Sequence, residues 1–284
     1  MSRIGIAGTG RLAQALGRLL LQAGEPVVCI AGRDSQRTKL AADFIGIEPV
    51  ALCDMPARAS RFLIAVSDGA IGDVAAVLAA CVSGSEMALH TCGSKGVEDL
   101  QPLRDRGIVC GTLHPLQTVC SPEQGAAALR GAAFGISGDE PAVRWARQIA
   151  ASIAGQALTI GTAERPLYHA AAVMASNYLA GLIDAAQILM ATATGSDADT
   201  ARRALAPLIR TAVENILERG PLAALTGPIE RGDIETVQRH LAAVRTLPFT
   251  IENLYRAAGL HTVDLAQRKG LAPAIAQEMK AALQ

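Results

Sequence analysis

The stretch RIGIAGTGRLAQALGRLL, residues 3–20, places a glycine-rich turn between an apolar run and an amphipathic helical pattern. The turn has the spacing Gly8-x-Gly10-x-x-Ala13. In a βαβ unit the first glycine makes a tight turn, the second lets backbone approach a pyrophosphate, and a small third residue lets the helix close on the strand. The start of such a helix faces the anion with free N–H groups. This pattern predicts a dinucleotide site, and the alternative is a glycine-rich turn without a ligand. The residues predicted to bind the dinucleotide are Gly8, Thr9, Gly10, Arg11 and Leu12.

Apolar runs and helical patterns alternate through the first half of the 284-residue chain, which is typical of a parallel sheet with crossover helices. Beyond residue 162 the strand pattern disappears and only helical patterns follow. We predict an α/β protein with a Rossmann-type doubly wound sheet in residues 1–161 and an all-α domain in residues 162–284. Strands are predicted near 3–7, 26–31, 48–52, 61–66, 86–91, 108–113, 132–137 and 156–160. Helices are predicted near 11–23, 35–44, 70–81, 164–194, 197–219, 233–245, 249–257, 262–269 and 273–283.

The composition narrows the class of protein. Half of the residues are apolar and the formal net charge is zero, so no basic surface is predicted for nucleic acid or an anionic membrane. The six cysteines all lie in the first 120 residues without a CxxC pair, which predicts reduced thiols in a cytoplasmic protein and no metal site. The N-terminus leaves no room for a signal peptide, and Asn177 and Asp184 interrupt the most apolar later stretch. We therefore expect no membrane span.

The end of the second predicted strand, VVCIAGRDSQR, bears on the choice of cofactor. Sites that prefer NAD usually place an acidic residue there to hold the ribose hydroxyls. This chain has Ala31-Gly32 followed by Arg33, and a guanidinium can grip a 2′-phosphate. We therefore predict NADP as the cofactor. Asp34 could be an acidic residue that holds the ribose hydroxyls. The more common role for an aspartate at such a position is to cap the next helix.

Three segments follow predicted strands at the edge where ligands bind in open α/β sheets. They are AVSDGAI (65–71), LHTCGSKG (89–96) and GTLHPLQTV (111–119). Two histidines at neighbouring strand ends suggest a substrate contact, although a single one is usually structural. Cys92 has no evident activating partner and is not predicted to be a nucleophile. The predicted cofactor contacts are Val66 and Ser67, and the predicted substrate contacts are His90, Thr91, Gly93, His114 and Gln117.

The predicted helix 164–194 contains YHAAAVMASNYLAGL, residues 168–182, an apolar run interrupted by His169 and Asn177. These two side chains are eight residues apart, about 12 Å along a helix, so they could line one elongated cleft. The alternative is that each is a core polar group with a hydrogen-bond partner, because a buried amide without one costs ~1–3 kcal/mol.

The motifs GxGxxA, AVSDGAI, LHTCGSKG, HPLQTV, HAAAVMASNYLAGL, ALTGPIERGD and PFTIENLYRAAG, in this order, resemble a bacterial family along essentially the whole chain. That family joins a Rossmann-like domain to a helical domain of formerly unknown function and is usually described as NADP oxidoreductase-like. It is similar to the 6-phosphogluconate, 3-hydroxyisobutyrate, pyrroline-5-carboxylate and ketopantoate reductase group. The resemblance implies a C-terminal domain like that of 6-phosphogluconate dehydrogenase.

In that wider group the first long helix after the nucleotide domain often carries a lysine, the general acid, and an asparagine four residues later that holds substrate. Asn177 matches the asparagine, but Val173 stands where the lysine would be. The lysine mechanism therefore does not transfer to this chain. We predict His169 as a replacement acid, with His114 as the rival, since histidine can donate a proton near neutral pH.

The motif LTGPIERGD, residues 225–233, is a Gly-Pro turn followed by two charged residues. Asp233 is predicted to cap the next helix, and Arg231 is either a solvated charge or a substrate contact. The resemblance favours Arg231 or Thr226 as the partner of a substrate carboxylate.

Together these features predict an NADPH-dependent reductase of a small oxo acid. Ketopantoate is the first substrate expected, because the resemblance includes alternative ketopantoate reductases. Two alternatives are a pyrroline-5-carboxylate-type imine reductase and a non-catalytic NADP(H)-binding sensor, the latter favoured by the missing lysine. The resemblance also implies a homodimer, with which the alanine-rich helices agree.

Overall fold

A computed structural model describes residues 2–284. The chain forms two compact units, residues 1–176 and 177–284. The predicted boundary at residue 161 lies before the long helix, whereas the units divide within it. The first turns of that helix belong to the first unit because Arg165 and Tyr168 contact the neighbouring strands.

The first unit is built on one eight-stranded sheet with the order β3-β2-β1-β4-β5-β6-β7-β8. All neighbouring strands are parallel except β6 and β7, which are antiparallel. Each of the eight strands matches a predicted one. The strands are β1 (Ile4–Ala7), β2 (Val27–Ala31), β3 (Glu48–Val50), β4 (Arg61–Ile64), β5 (Met87–His90), β6 (Val109–Pro115), β7 (Ala133–Gly138) and β8 (Gln156–Thr159).

Helices cover both faces of this sheet, because its central strands are apolar on both sides. On one face Leu16 and Leu20 of the first helix are buried against Ile6. On the other, Leu78 packs in a cluster with Phe62 and Ile64. The helices of this unit up to the last strand are α1 (Arg11–Gln22), α2 (Ser35–Ile45), α3 (Met55–Arg58), α4 (Ile71–Ala79), α5 (Gln101–Arg104), α6 (Pro122–Leu129) and α7 (Glu140–Ser152).

The antiparallel pair of β6 and β7 places His114 directly opposite Gly135. Strand periodicity could not predict this reversal, since the pattern of apolar residues is the same for both directions. Its consequence is local: the carboxyl end of β6 lies beside the amino-terminal half of β7, where a glycine leaves room above the sheet.

The remainder of the chain is helical, as predicted. Helix 249–269 is continuous, so the predicted break at Gly259 is wrong. Gly259 is buried inside this helix, and a Cβ there would lie 2.8 Å from Leu283 Cδ2, so it serves close helix packing rather than a cap. The helices are α8 (Arg165–Val173), a π-helical turn (Met174–Tyr178), α9 (Leu179–Thr194), α10 (Ala198–Arg219), α11 (Pro221–Ala224), α12 (Pro228–Arg231), α13 (Ile234–Val244), α14 (Phe249–Lys269) and α15 (Pro273–Leu283).

The long helix is largely exposed in the single chain, although its sequence is mostly apolar. Ala185 is the only buried residue of α9. Asn177 is likewise exposed, so the argument from a buried amide does not apply to it. Among the described residues, Arg165–Thr194 is the one helix long and apolar enough to cross a membrane. Helices of proteins without a membrane span can have the same length and composition, so this finding does not assign a membrane span.

Candidate functional site

The glycine turn between β1 and α1 has a conformation that only glycine adopts readily. Gly8 has a φ of +124°, and a Cβ there would lie 2.1 Å from the carbonyl oxygen of Ala65. The turn therefore passes close against the end of β4, as expected for the first glycine of the motif. Ala13 is fully buried, which lets α1 lie against the sheet.

Gly10 differs from Gly8, because nothing in the protein requires a glycine there. It is the N-cap of α1 in an extended conformation, and a Cβ would meet no atom within 4 Å. The helix start has neither a side-chain cap nor an acidic residue in its first turn. Its N–H groups are therefore available to an anion, and the open space at Gly10 allows close approach. This geometry fits the pyrophosphate of a dinucleotide.

The other predicted cofactor residues border this turn. Val66 adjoins Gly8, since a Cβ there would lie 3.2 Å from Val66 Cγ1, and Ser67 is exposed just beyond. A Cβ at Gly32 would lie 2.6 Å from the Thr9 methyl group, so the end of β2 also meets the turn. Two further predicted residues lie at the start of α1: Leu12 is half-buried, and Arg11 Nη1 donates to the Cys120 carbonyl at 3.1 Å.

Arg33 lies at the carboxyl end of β2 with its guanidinium exposed. Among the described residues its side chain forms no ion pair. Asp34 caps α2, accepting a hydrogen bond from the Arg37 N–H at 2.8 Å, so the capping alternative for Asp34 is confirmed. Asp34 is therefore engaged at the helix start, and the exposed Arg33 guanidinium is the member of this pair that could bind a 2′-phosphate.

His90 is a fully buried histidine that holds its own loop. The Cys92 N–H donates to Nδ1 at 3.2 Å, so Nε2 carries the proton and donates to the Gly96 carbonyl at 2.8 Å. Burial lowers the pKa of His90, in agreement with a neutral ring. Because both ring nitrogens are used, the substrate contact predicted for His90 gains no support from this position.

His114 and Tyr168 form a hydrogen-bonded pair at the carboxyl end of β6. His114 Nδ1 lies 2.7 Å from the Tyr168 hydroxyl oxygen, and the two rings meet edge to face. Burial, followed by the neighbouring His169, lowers the pKa of His114 to about 4. Burial raises the pKa of Tyr168 to about 12. Near neutral pH the pair is therefore a neutral imidazole beside a protonated phenol.

Two further polar residues surround this pair. The His169 ring centroid lies 6.1 Å from that of His114, and His169 Nδ1 is buried without a hydrogen-bond partner among the described residues. Arg165 is buried, donates from Nη2 to the Ser137 hydroxyl, and has an unpartnered Nε. A buried cation and an unpartnered imidazole nitrogen at a strand end are typical of a ligand site.

The remaining predicted residues of this edge have different positions. Thr91 is buried at the end of β5, and its N–H donates to the Ile64 carbonyl. Gly93 lies directly under His114, where a Cβ would be 2.6 Å from ring atom Cε1. Gln117 uses both ends of its amide on nearby backbone, at Ala128 and Thr118, so its role in substrate binding stays a prediction. Burial raises the pKa of the Cys92 thiol, as expected for an inert cysteine.

The second unit carries the other predicted substrate residues. Asn177 is exposed in the π-helical turn, a feature that often marks functional sites. Thr226 and Arg231 are exposed before α12 and at its end. Asp233 caps α13 by accepting from the Thr236 N–H at 3.0 Å, as predicted. The substrate roles of the first three residues stay predictions.

Sequence patterns did not identify Tyr168 or Arg165. The signal that could have found them is the pair of glycines at 93 and 135, which only the strand pairing brings to the same edge. Within residues 2–284, no group of three or more metal-ligating side chains could hold a metal ion.

Comparison with known families gives two matches. Residues 1–115 match the Rossmann-like domain, and residues 132–262 match the domain of unknown function DUF2520. The chain joins a Rossmann-like domain to a DUF2520 domain. This confirms the resemblance found in the motifs. No curated protein sequence matches the chain at significant similarity.

Solved structures share the fold over nearly the whole chain. A Bacteroides fragilis protein, provisionally assigned as an NADP oxidoreductase, is 20% identical with a TM-score of 0.71, covering 94% of this chain and 97% of its own. A Thermotoga maritima protein is 22% identical with a TM-score of 0.72, covering 97% and 98%. A pyrroline-5-carboxylate reductase from Coxiella burnetii is 14% identical with a TM-score of 0.62, covering 99% and 98%.

The family matches divide the candidate site between two segments of the chain. The glycine turn and His114 lie in the Rossmann-like domain, whereas Tyr168 and His169 lie in the DUF2520 match. The hydrogen bond between His114 and Tyr168 therefore joins the two segments within the first compact unit.

Proposed function

We propose that this protein is an NADPH-dependent reductase that transfers a hydride to the carbonyl carbon of a small oxo acid. The observation that carries the proposal is the helix start at Gly10, open and uncapped, on the sheet edge that also carries the His114–Tyr168 pair. In open α/β sheets this edge is where ligands bind. The shared fold with the Bacteroides fragilis protein and the Coxiella burnetii reductase supports a reductase.

NADPH is the cofactor that the residues fit best. The N–H groups of α1 and the backbone at Gly8 and Gly10 would hold the pyrophosphate, and Arg33 would pair with the 2′-phosphate. Val66 and Ser67 would border the remainder of the dinucleotide. When bound, NADPH supplies the hydride, and the protein supplies orientation and a proton.

For the substrate we assign a carbonyl contact to Asn177 and a carboxylate contact to Arg231 or Thr226. Within the first unit, Thr91, Gly93 and Gln117 are further proposed substrate contacts. His114 and His169 remain the histidine candidates for proton transfer. Ketopantoate, the 2-oxo acid implied by the family resemblance, is the first substrate to test. A cyclic imine of the pyrroline-5-carboxylate type is the second, favoured by the fold of the Coxiella burnetii enzyme.

We further propose a homodimer formed through α9 and α10. Only Ala185 of α9 and only Ala201 and Leu205 of α10 are buried in the single chain. Several large apolar residues of these two helices are exposed, a pattern typical of an interaction surface. We call them the helical apolar surface, and they are Leu179, Leu182, Ile188, Leu208, Ile216 and Leu217. We also propose a cytoplasmic location, with which six free cysteines agree.

The test is NADPH oxidation, followed by absorbance, with ketopantoate or the imine added to the wild-type protein and to Asn177→Ala. We expect turnover with ketopantoate that collapses in Asn177→Ala while the dissociation constant of NADPH stays unchanged. Turnover with the imine alone would replace the substrate assignment. NADPH binding without turnover of either substrate would refute the reductase and favour a non-catalytic sensor.

A further inference from the structure

The helix that carries the acid lysine in similar reductases has Val173 at that place, so the proton for the substrate must come from elsewhere. Besides His114 and His169, the structure brings another proton-bearing group to the sheet edge. This is the Tyr168 hydroxyl, which α8 holds over β7 and beside the end of β6.

Backbone geometry fixes the position of this hydroxyl. A Cβ at Gly135 would lie 2.3 Å from Tyr168 Oη, so the phenol occupies space that any other residue at 135 would fill. A Cβ at Gly93 would lie 2.6 Å from the His114 ring, so the imidazole likewise occupies space that a side chain at position 93 would need. Gly135 of β7 and Gly93 in the loop after β5 therefore both make room for one hydrogen-bonded pair.

We propose that Tyr168 is the proton donor of the reaction and that His114 is the positioning residue that holds its hydroxyl. This inference rests on the proposed function and deepens it. As the carbonyl carbon accepts the hydride, the π electrons of the C=O bond move to oxygen, and that oxygen takes the proton from the Tyr168 O–H. The resulting phenolate recovers a proton from solvent, so that the carbonyl is reduced, NADPH is oxidised and Tyr168 is unchanged.

The protonation states of the pair favour Tyr168 over His114 as the donor. His114, with a pKa lowered to about 4, carries no ionisable proton near neutral pH. Tyr168 stays protonated there, and an alkoxide formed by hydride transfer is a stronger base than a phenolate, so the proton moves downhill. The Arg165 charge lowers the pKa of Tyr168 against the effect of burial and would stabilise the phenolate.

The charged and titratable groups around His114 come from three parts of the chain. His169 and Arg165 of α8 lower its pKa, as does His90 of β5, whereas Asp68 beyond β4 raises it. Burial dominates all of them. The imidazole therefore stays neutral and can either donate to or accept from the Tyr168 hydroxyl, according to its tautomer.

The experiment compares wild type with Tyr168→Phe, which removes only the hydroxyl. We expect kcat for NADPH oxidation with ketopantoate to fall ~10²–10⁴-fold, the range for loss of a general acid. KM and the NADPH dissociation constant should stay unchanged, which a loss of fold would not allow. The matched control is Tyr255→Phe, because Tyr255 makes the same bond to His240 Nδ1 at 2.9 Å with rings edge to face. It should keep wild-type kcat.

A second variant tests the positioning role. His114→Asn should lower kcat without raising KM for NADPH, because the Tyr168 hydroxyl is retained but no longer held. A readout independent of turnover is ¹⁵N NMR of the histidine rings. In wild type the His114 nitrogens should show a single neutral tautomer, which Tyr168→Phe disturbs and Tyr255→Phe does not.

The outcomes separate this inference from the proposed function. If the wild type reduces a substrate and Tyr168→Phe keeps its kcat, the inference is wrong and the reductase stands. If the wild type binds NADPH but reduces neither ketopantoate nor the imine, the proposed function fails and the proton-donor role falls with it. A folded Tyr168→Phe with a low kcat, normal NADPH affinity and an altered His114 tautomer would support both.

Discussion

At the scale of single residues, the two motif glycines have different physical reasons to be glycine. Gly8 is required by the protein itself, through its φ of +124° and its contact with Ala65. Gly10 has open space around it and a φ of −74°, which any residue adopts. The protein itself therefore does not require a glycine at position 10, whereas it does at position 8.

This difference predicts that the same substitution, glycine to alanine, mainly lowers stability at position 8 and mainly weakens NADPH binding at position 10. Gly8→Ala should lower the free energy of unfolding by about 1–3 kcal/mol, because it forces a side chain into a left-handed conformation. Gly10→Ala should cost less than about 1 kcal/mol of stability, the range of an N-cap change. It should nevertheless raise the NADPH dissociation constant by about tenfold, equivalent to about 1.4 kcal/mol. Urea unfolding and fluorescence titration measure both, and a Gly10→Ala protein with wild-type NADPH affinity would remove the pyrophosphate assignment.

A second residue-scale prediction concerns the room made for the His114–Tyr168 pair. Gly135→Ala should displace the Tyr168 hydroxyl, since the new Cβ would lie 2.3 Å from it. We expect kcat to fall by about 10²-fold or more, as in Tyr168→Phe. Gly72→Ala is the control, because a Cβ there meets nothing within 4 Å and should leave kcat unchanged. Equal rates for Gly135→Ala and wild type would show that Tyr168 is not held in the proposed place.

At the scale of elements, the strands were the most predictable part of the fold. Runs such as IGIA are buried on both faces, so their apolar character alone identifies them. The break at Gly259 was predicted wrongly because a glycine after a helical pattern has two explanations, a cap or a close contact. Only the position of Leu283, which is distant in sequence, decides between them.

The candidate site was predictable in part for a similar reason. The cofactor turn is local, so its spacing in the sequence is enough to identify it. The His114–Tyr168 pair depends on the antiparallel pairing of β6 with β7 and on the first turns of α8, neither of which has a local signature. Tyr168 therefore has no feature in the sequence that identifies it as part of the site.

The pair at the end of β6 makes the stability of the first unit depend on pH. His114 stays neutral in the folded state down to a pKa of about 4, whereas an unfolded histidine is protonated below about 6.5. The unfolded state then binds more protons, so stability should fall as the pH drops from about 6.5 to 4, by up to about 3 kcal/mol. His90, whose pKa is also lowered, acts in the same direction.

Urea unfolding between pH 4 and 8 tests this dependence. His114→Gln should reduce the slope in the acidic range, and its stability at pH 7.5 gives the cost of the lost Tyr168 contact separately. An unchanged slope in His114→Gln would mean that His114 has the same pKa in the folded and the unfolded protein, which would contradict the prediction.

The helical apolar surface gives a prediction for assembly. Leu217 is 79% exposed in the single chain, and a charge there should oppose burial between two copies. Leu217→Asp should raise the dimer dissociation constant by about tenfold or more. Leu40→Asp is the matched control, because Leu40 on α2 is 63% exposed outside this surface. Sedimentation velocity measures both, and a monomeric wild type would contradict the proposed dimer.

At the scale of the whole molecule, each unit has hydrophobic clusters of its own. The clusters around Leu16 and Phe62 lie in the first unit, and the cluster around Val237 and Met279 lies in the second. We expect two calorimetric unfolding transitions. NADPH at 100 times its dissociation constant should stabilise the unit with the glycine turn by about 2.7 kcal/mol. A single transition whose midpoint temperature rises when NADPH is added would show that the two units unfold together.

At the end of β6, the rings of Tyr168 and His114 occupy space that side chains at positions 135 and 93 would fill, and this has an evolutionary consequence. A ring at 168 and a side chain at 135 compete for one volume, as do a ring at 114 and a side chain at 93. These four positions should therefore be inherited as a unit. A lineage that gains a larger residue at 135 has to abandon the aromatic ring at 168. Substitutions at Gly93, His114, Gly135 and Tyr168 should then appear together on the branches of the family tree.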